Sequence, residues 1–127
     1  MRVRFRNPDM SQCPPKLEPY ARDPNLTPGC EYEVQAIVVF DGVASMLVLD
    51  DLGYPGWKPV WLLETTEGTL PRDWMCNAFS DWPEVLIGPE FIAGSQEQYS
   101  AMVELEAPQV ERLRRRIAAC SKSENDS

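Results

Sequence analysis

Asp50 and Asp51 are the first side chains in this sequence that could act on a substrate, since two carboxylates can divide acid and base work between them. Adjacent residues of an extended chain point in opposite directions, so the two do not form a dyad. Asp51 stands before Leu52-Gly53, and that order of residues makes a turn. Four cysteines, Cys13, Cys30, Cys76 and Cys120, could supply a thiolate. The chain has no histidine to serve as their base or to share a metal, and no two cysteines stand at the Cys-x-x-Cys spacing of a zinc site. A glycine-rich phosphate loop and a Gly-x-Ser-x-Gly elbow are both missing. The sequence points away from enzyme chemistry, and no cofactor or metal is expected.

Binding is better provided for. Tyr54 and Trp57 follow the Asp50-Asp51 turn and are flanked by Pro55 and Pro59, which reads as a loop carrying two large aromatics. Trp61, a little further on, is read as a core residue. Carboxylates surround the loop aromatics in sequence: Asp50, Asp51, Glu64 and Glu67, with Asp73 beyond them. Aromatic anchors ringed by acid are the makings of a contact surface for a basic partner. These seven residues, Asp50, Asp51, Tyr54, Trp57, Glu64, Glu67 and Asp73, are the candidate partner-binding site. The competing reading is that the aromatics close one end of a small barrel.

The net charge of −8 is unevenly spread. Residues 1–30 hold five Lys/Arg against three Asp/Glu, and residues 112–127 hold five against two. Residues 31–111 hold fifteen Asp/Glu against Lys58 and Arg72 alone. Such a body repels nucleic acid and anionic membrane and speeds encounter with a basic protein. Arg112, Arg114, Arg115 and Arg116 do not reverse this. On a helix beginning near Pro108 they form the solvated face opposite Val110, Leu113, Ile117 and Cys120, and they are placed to compensate the acidic body. No apolar run reaches the length of a membrane span, and Met1–Arg6 is not followed by the apolar core of a secretory signal. A cytoplasmic protein with reduced thiols is expected; export would instead open the four cysteines to disulfide formation.

The elements that must position these residues are mostly strands. Residues 7–30 carry six of the twelve prolines, so residues 1–30 read as an extended arm, with a short strand at Arg2–Arg6. From Glu31, the residues Tyr32, Val34, Ala36, Val38 and Phe40 share one parity, the period of a half-buried strand. Asp41-Gly42 turns the chain, Ser45–Asp50 and Lys58–Thr66 give two more strands, and Glu84–Gly88 a further one. Gly94-Ser95 starts a segment over 96–106 whose apolar residues fit helix or strand. Pro108 opens a clearer helix, and the stretch from Ser121 is too polar to pack. Short strands with frequent turns over 31–92 describe a small barrel, followed by a helical segment over 93–120.

Gly68-Thr69-Leu70-Pro71-Arg72-Asp73-Trp74-Met75 resembles the Gly-x-x-Pro-x-x-aromatic-aliphatic segment of SH3 domains, which forms a 3₁₀ turn before the last strand. The Ala-Leu-Tyr-x-Tyr signature of those domains is absent. A wider likeness joins Leu26-Thr27-Pro28-Gly29-Cys30-Glu31-Tyr32-Glu33-Val34 with Leu49-Asp50-Asp51-Leu52-Gly53 and Leu70-Pro71-Arg72-Asp73-Trp74. Across residues 26–75 the chain resembles small bacterial SH3-like proteins found among the immunity proteins of polymorphic-toxin and type VI secretion systems. Cys30 stands where lysine is usual there, and the arm has no counterpart. The resemblance implies a mainly β fold with an SH3-like barrel, and a protein that neutralises a cytoplasmic-acting toxin by binding it. The alternatives are an SH3-like adaptor for a proline-rich or basic peptide, which requires an exposed aromatic groove, and a non-enzymatic accessory protein.

Overall fold

The computed structural model describes residues 1–125, with side chains to Ala118. Eight strands run in chain order: β1 (Arg2–Phe5), β2 (Glu31–Glu33), β3 (Ala36–Phe40), β4 (Val43–Leu49), β5 (Pro55–Pro59), β6 (Leu63–Glu67), β7 (Met75–Ala78) and β8 (Val85–Gly88). The helices are α1 (Glu18–Ala21), α2 (Glu90–Ala93), α3 (Gln96–Val103) and α4 (Ala107–Asn125). The fold is mainly β, in two antiparallel sheets of order β2-β1-β6 and β5-β4-β3-β8-β7. The sheets do not close into a barrel.

Two breaks in the chain keep the barrel open. The expected strand from Glu31 to Phe40 keeps its period but changes partner midway: β2 pairs with β1, and after Val34-Gln35, β3 pairs with β4 and β8. The expected strand over Lys58–Thr66 ends at Pro59, where a 3₁₀ turn over Val60–Leu62 carries the chain to the other sheet. A second 3₁₀ turn lies at Met10–Gln12; over 68–74, where one was expected, there is instead a loop turn, closed by a 3.2 Å hydrogen bond from the Trp74 N–H to the Pro71 carbonyl.

Residues 1–30 do more than lie over the body. Arg2–Phe5 forms the middle strand of the smaller sheet, and Glu18–Ala21 forms a short helix. Val3 and Phe5 point inward, while Arg2 and Arg4 stand outward between two acidic strands. Arg4 reaches Glu64 at 3.0 Å and Arg2 reaches Glu33 at 3.3 Å. A basic strand between two acidic ones gains at each cross-strand pair, and this is where much of the charge asymmetry of the sequence is spent.

Directly opposite residues of antiparallel strands share a face. One face of the larger sheet carries Ile37, Met46 and Val48, which pack with Val3, Phe5, Val34, Leu62 and Leu63 against the smaller sheet. The other face carries Ala36 and Leu47 against Phe91, Ile92, Met102 and Leu113 of the helices, and Val38 with Leu86 against Ala93 and Tyr99. The molecule is therefore three layers: small sheet, large sheet, helices. Where β8 ends beside the start of β3 the packing is close: a Cβ on Gly88 would lie 2.9 Å from the Ala36 Cβ.

The hairpin β3–β4 turns at Asp41-Gly42, both at positive φ (50° and 74°), the geometry of a two-residue type I′ turn. Over 96–106 the structure decides for helix. The Ser95 side chain caps α3 by accepting from the Gln98 N–H at 3.2 Å. Helix α4 continues past Ser121 to Asn125; the Cys120 side chain and residues 126–127 lie outside the described ones. Among the described residues, no helix is long and apolar enough to cross a membrane, no cluster of metal-ligating side chains forms, and Cys13, Cys30 and Cys76 are free thiols.

Candidate functional site

The helices cover only part of the outer face of the large sheet. Beyond α3, towards the β3–β4 hairpin, the sheet lies open. Its floor is made by Val38, Phe40, Val43 and Ser45 with Pro55, Gly56 and Trp57 of β5. Trp82, Tyr99, Val103, Glu104 and Leu105 wall one side, and Tyr20 of α1, which lies against β5, stands on another. The resulting groove holds about 560 Å³ and its lining is mainly apolar, within the range of sites that hold a small ligand or a few side chains.

The aromatic residues of the groove are mutually braced. Trp57 and Tyr99 meet edge to face at 5.5 Å between centroids, Trp82 and Tyr99 at 6.1 Å, and Phe40 and Trp82 edge to face at 6.2 Å. Such geometry suits the ring quadrupoles and holds the rings in place. Phe40, Trp82 and Tyr20 remain substantially exposed despite it. Burial raises the pKa of the Tyr99 phenol, and Tyr20 nearby adds a smaller push in the same direction. The Trp57 Nε1–H is buried with no hydrogen-bond partner.

An acidic rim joins the groove at Trp82, Ser100 and Glu104. These three residues also line a second cleft with Asp81, Glu97 and Glu106. Asp81 accepts a 2.7 Å hydrogen bond from Gln96. For Glu97, Glu104 and Glu106, no basic partner lies within ion-pair distance among the described residues.

Of the seven residues expected to bind a partner, Trp57 alone lines this groove, and it does so from strand β5 and not from a loop. Proline is tolerated at the ends of an edge strand, so Pro55 and Pro59 do not prevent β5 from forming. Tyr54 stays on the loop and is 56% exposed. Asp50 is a turn former: its Oδ1 accepts from the Leu52 and Tyr54 N–H groups at 2.9 and 3.0 Å. Asp51 accepts from Tyr32 and Thr27, the bond from Tyr32 being the larger cause holding its carboxyl below the usual range.

Glu64 belongs to the pair with Arg4, and Glu67 accepts from the Thr69 N–H at 2.9 Å and lies 3.4 Å from the Met1 amine. Asp73 receives two hydrogen bonds from Arg116, at 2.5 and 2.7 Å, which hold its carboxyl below its ordinary pKa. The α4 arginines are likewise engaged: Arg112 lies 4.8 Å over the Phe91 ring and Arg114 donates to the Gly53 carbonyl at 3.3 Å. Trp61 packs at the edge of the first core cluster with the Arg6 guanidinium 5.8 Å from its ring.

Sequence reasoning passed over Tyr20, Phe40, Trp82, Tyr99, Glu104 and Leu105. The one local signal was Met102-Val103, two apolar residues side by side on a helix, of which only one can face the core. The chain matches no known protein family, no curated protein and no solved structure.

Proposed function

We propose that this protein acts by binding, and that it holds a basic segment of another protein in the aromatic groove. The observation that carries the reading is the groove itself: Phe40, Trp57, Trp82 and Tyr99 brace one another, Tyr20, Phe40 and Trp82 stay open to solvent, and the glutamates beside them have no cation within ion-pair distance among the described residues. Large exposed apolar patches of this kind mark contact surfaces, and rigid aromatics give contact area at little entropic cost.

In its sharpest form the partner is a cytoplasmic-acting toxin, and the protein is an immunity protein of an SH3-like kind. Support comes from the likeness over residues 26–75 and from the acidic body. The adaptor reading, with a proline-rich or basic peptide as ligand, uses the same surface, and the exposed aromatic lining favours it. The carboxylates first expected to make the contact are spent on internal bonds, so the contact moves to the groove.

The test is co-expression with the product of the neighbouring upstream gene, with and without Trp82→Ala and Phe40→Ala. A complex that restores growth, and that both substitutions weaken about tenfold, supports immunity through the groove. Equal binding by the substituted proteins overturns the groove as the contact. Failure to bind that product, with tight binding of synthetic proline-arginine peptides, moves the function to the adaptor.

A further inference from the structure

Helix α3 ends in a two-bond cap that glycine normally completes. The Glu106 N–H donates to the Ala101 carbonyl at 3.0 Å and the Leu105 N–H to the Met102 carbonyl at 3.1 Å. That pair of bonds requires a left-handed residue at the position of Leu105, and Leu105 has φ of 54°. An L-residue with a large side chain adopts this conformation at a cost that glycine avoids. Burial does not recover the cost, because the side chain is 45% exposed. It lies instead on the wall of the groove, next to Glu104 and on the same side as Trp82.

We infer that the end of α3 forms a subsite for an arginine of the partner segment, with Leu105 and Trp82 flanking its aliphatic stem and Glu97, Glu104 and Glu106 facing its guanidinium. The inference rests on the groove being the binding surface. Long cationic side chains lay their stems on apolar surface and keep the head group polar. A guanidinium also gains over an indole face. Glu104 stands at the junction of the two clefts and Glu97 and Glu106 line the second, none with an internal cation among the described residues, in a body whose fifteen acids face two bases over residues 31–111. Pairing through the sheet edge is the poorer route for a bound segment: β5 is an edge strand, and its two prolines offer no N–H. The segment is therefore read through its side chains.

The experiment is an NMR titration of the full chain with the capped dipeptide leucyl-arginine amide at millimolar concentration, following the indole N–H of Trp82 and the methyl groups of Leu105. Saturable shifts at both, and affinity lower by about tenfold for the leucyl-norleucine twin, are expected. Leu105→Gly should leave the melting temperature unchanged or raise it, because glycine suits the cap, while weakening the arginine dipeptide about tenfold. Glu104→Gln should weaken it without altering the norleucine twin. No saturable shift at Trp82 and Leu105 overturns the subsite, as does equal binding by Leu105→Gly or a fall in its melting temperature. If the partner complex still depends on Trp82 and Phe40 when any of these results is obtained, the groove stands and only the arginine subsite falls.

Discussion

The Tyr32 hydroxyl donates a 2.7 Å hydrogen bond to Oδ1 of Asp51, nineteen residues further along the chain. Thr27 Oγ1 donates to the second carboxylate oxygen at 2.7 Å, the Thr27 N–H donates to the Tyr32 hydroxyl at 2.7 Å, and the Asp51 N–H donates to the Asn25 carbonyl at 2.8 Å. All three side chains lie in the stretches over residues 26–75 on which the proposed resemblance rests. The residues Thr27, Tyr32 and Asp51 thus tie the segment before β2 to the β4–β5 loop, and the motif describes how this chain is fastened. Tyr32→Phe removes the donor to Asp51 and should lower the unfolding free energy by about 1 kcal/mol without changing the fold. Urea denaturation of the two proteins, with their circular dichroism spectra, checks it. An unchanged midpoint would mean that the triad contributes nothing.

Acid should loosen the β3–β4 hairpin through Glu84. Its carboxylate accepts from the Gly42 N–H at 3.0 Å and from the Asp41 N–H at 2.8 Å, and these two bonds hold its pKa below the ordinary value. The unfolded chain therefore takes up this proton at higher pH than the folded one. The stability it confers is present above the unfolded glutamate pKa of about 4.3 and is lost as pH falls through the lower folded value. Glu84→Gln should have lower stability at neutral pH and a shallower decline between about pH 5 and pH 3. Parallel pH profiles for the two proteins would rule this source of acid sensitivity out.

How much of the molecule could be read beforehand follows from how local each cause is. Asp41-Gly42 was legible because a two-residue turn with two positive φ angles is chemistry contained in two residues. The strand period from Tyr32 to Phe40 was legible too, but the change of sheet at Val34-Gln35 depends on where β1 lies, which is a long-range matter. The short strand at Arg2–Phe5 was legible as well, but its place in the middle of the smaller sheet was not, since it is held there by Glu31, Glu33 and Glu64 of strands far along the chain. The groove was hidden for the same reason. Tyr20, Phe40, Trp57, Trp82 and Tyr99 stand roughly twenty residues apart, and only the layering of β3, β5, α1 and α3 with the β7–β8 loop brings them together.

Gly88→Ala should destabilise the protein by about 2 kcal/mol, the usual scale for forcing a methyl into a packed core. The added Cβ would lie 2.9 Å from the Cβ of Ala36 and 3.4 Å from its Cα, and backbone cannot swing aside as a flexible side chain can. Ala36 opens β3 and Gly88 ends β8, and the two strands pair side by side in the large sheet. Thermal melting measures the loss, and Ala36→Gly in the Gly88→Ala background should recover part of it. A single substitution that melts with the wild type would show that the two strands can separate there at no cost.

Leu47→Ala should cost about 3 kcal/mol, in the range found for buried leucines whose surroundings cannot collapse. Leu47 is fully buried between β4 and the helices, against Phe91, Ile92, Met102 and Leu113. Its neighbours come from two rigid layers, so the space left behind persists. Chemical denaturation would measure the change, and a loss below about 1 kcal/mol would mean that the helical layer settles onto the sheet.

Charge reversal separates the two possible contact surfaces. Glu64 faces Arg4 and Glu67 faces the Met1 amine, so Glu64→Lys and Glu67→Lys act first on the β1–β6 pairing. Protection of the β1 amides from hydrogen exchange should fall in both, because like charges then stand opposite one another across the strands. Partner affinity, measured by calorimetry at physiological ionic strength, should stay within about twofold of wild type, whereas Glu104→Lys, on the groove wall, should reduce it about tenfold. Exposed charges act at short range in salt, with a screening length of about 8 Å, so a general change in net charge cannot produce such a difference. A loss of affinity in Glu64→Lys or Glu67→Lys equal to that in Glu104→Lys would return the contact to the carboxylates of β6.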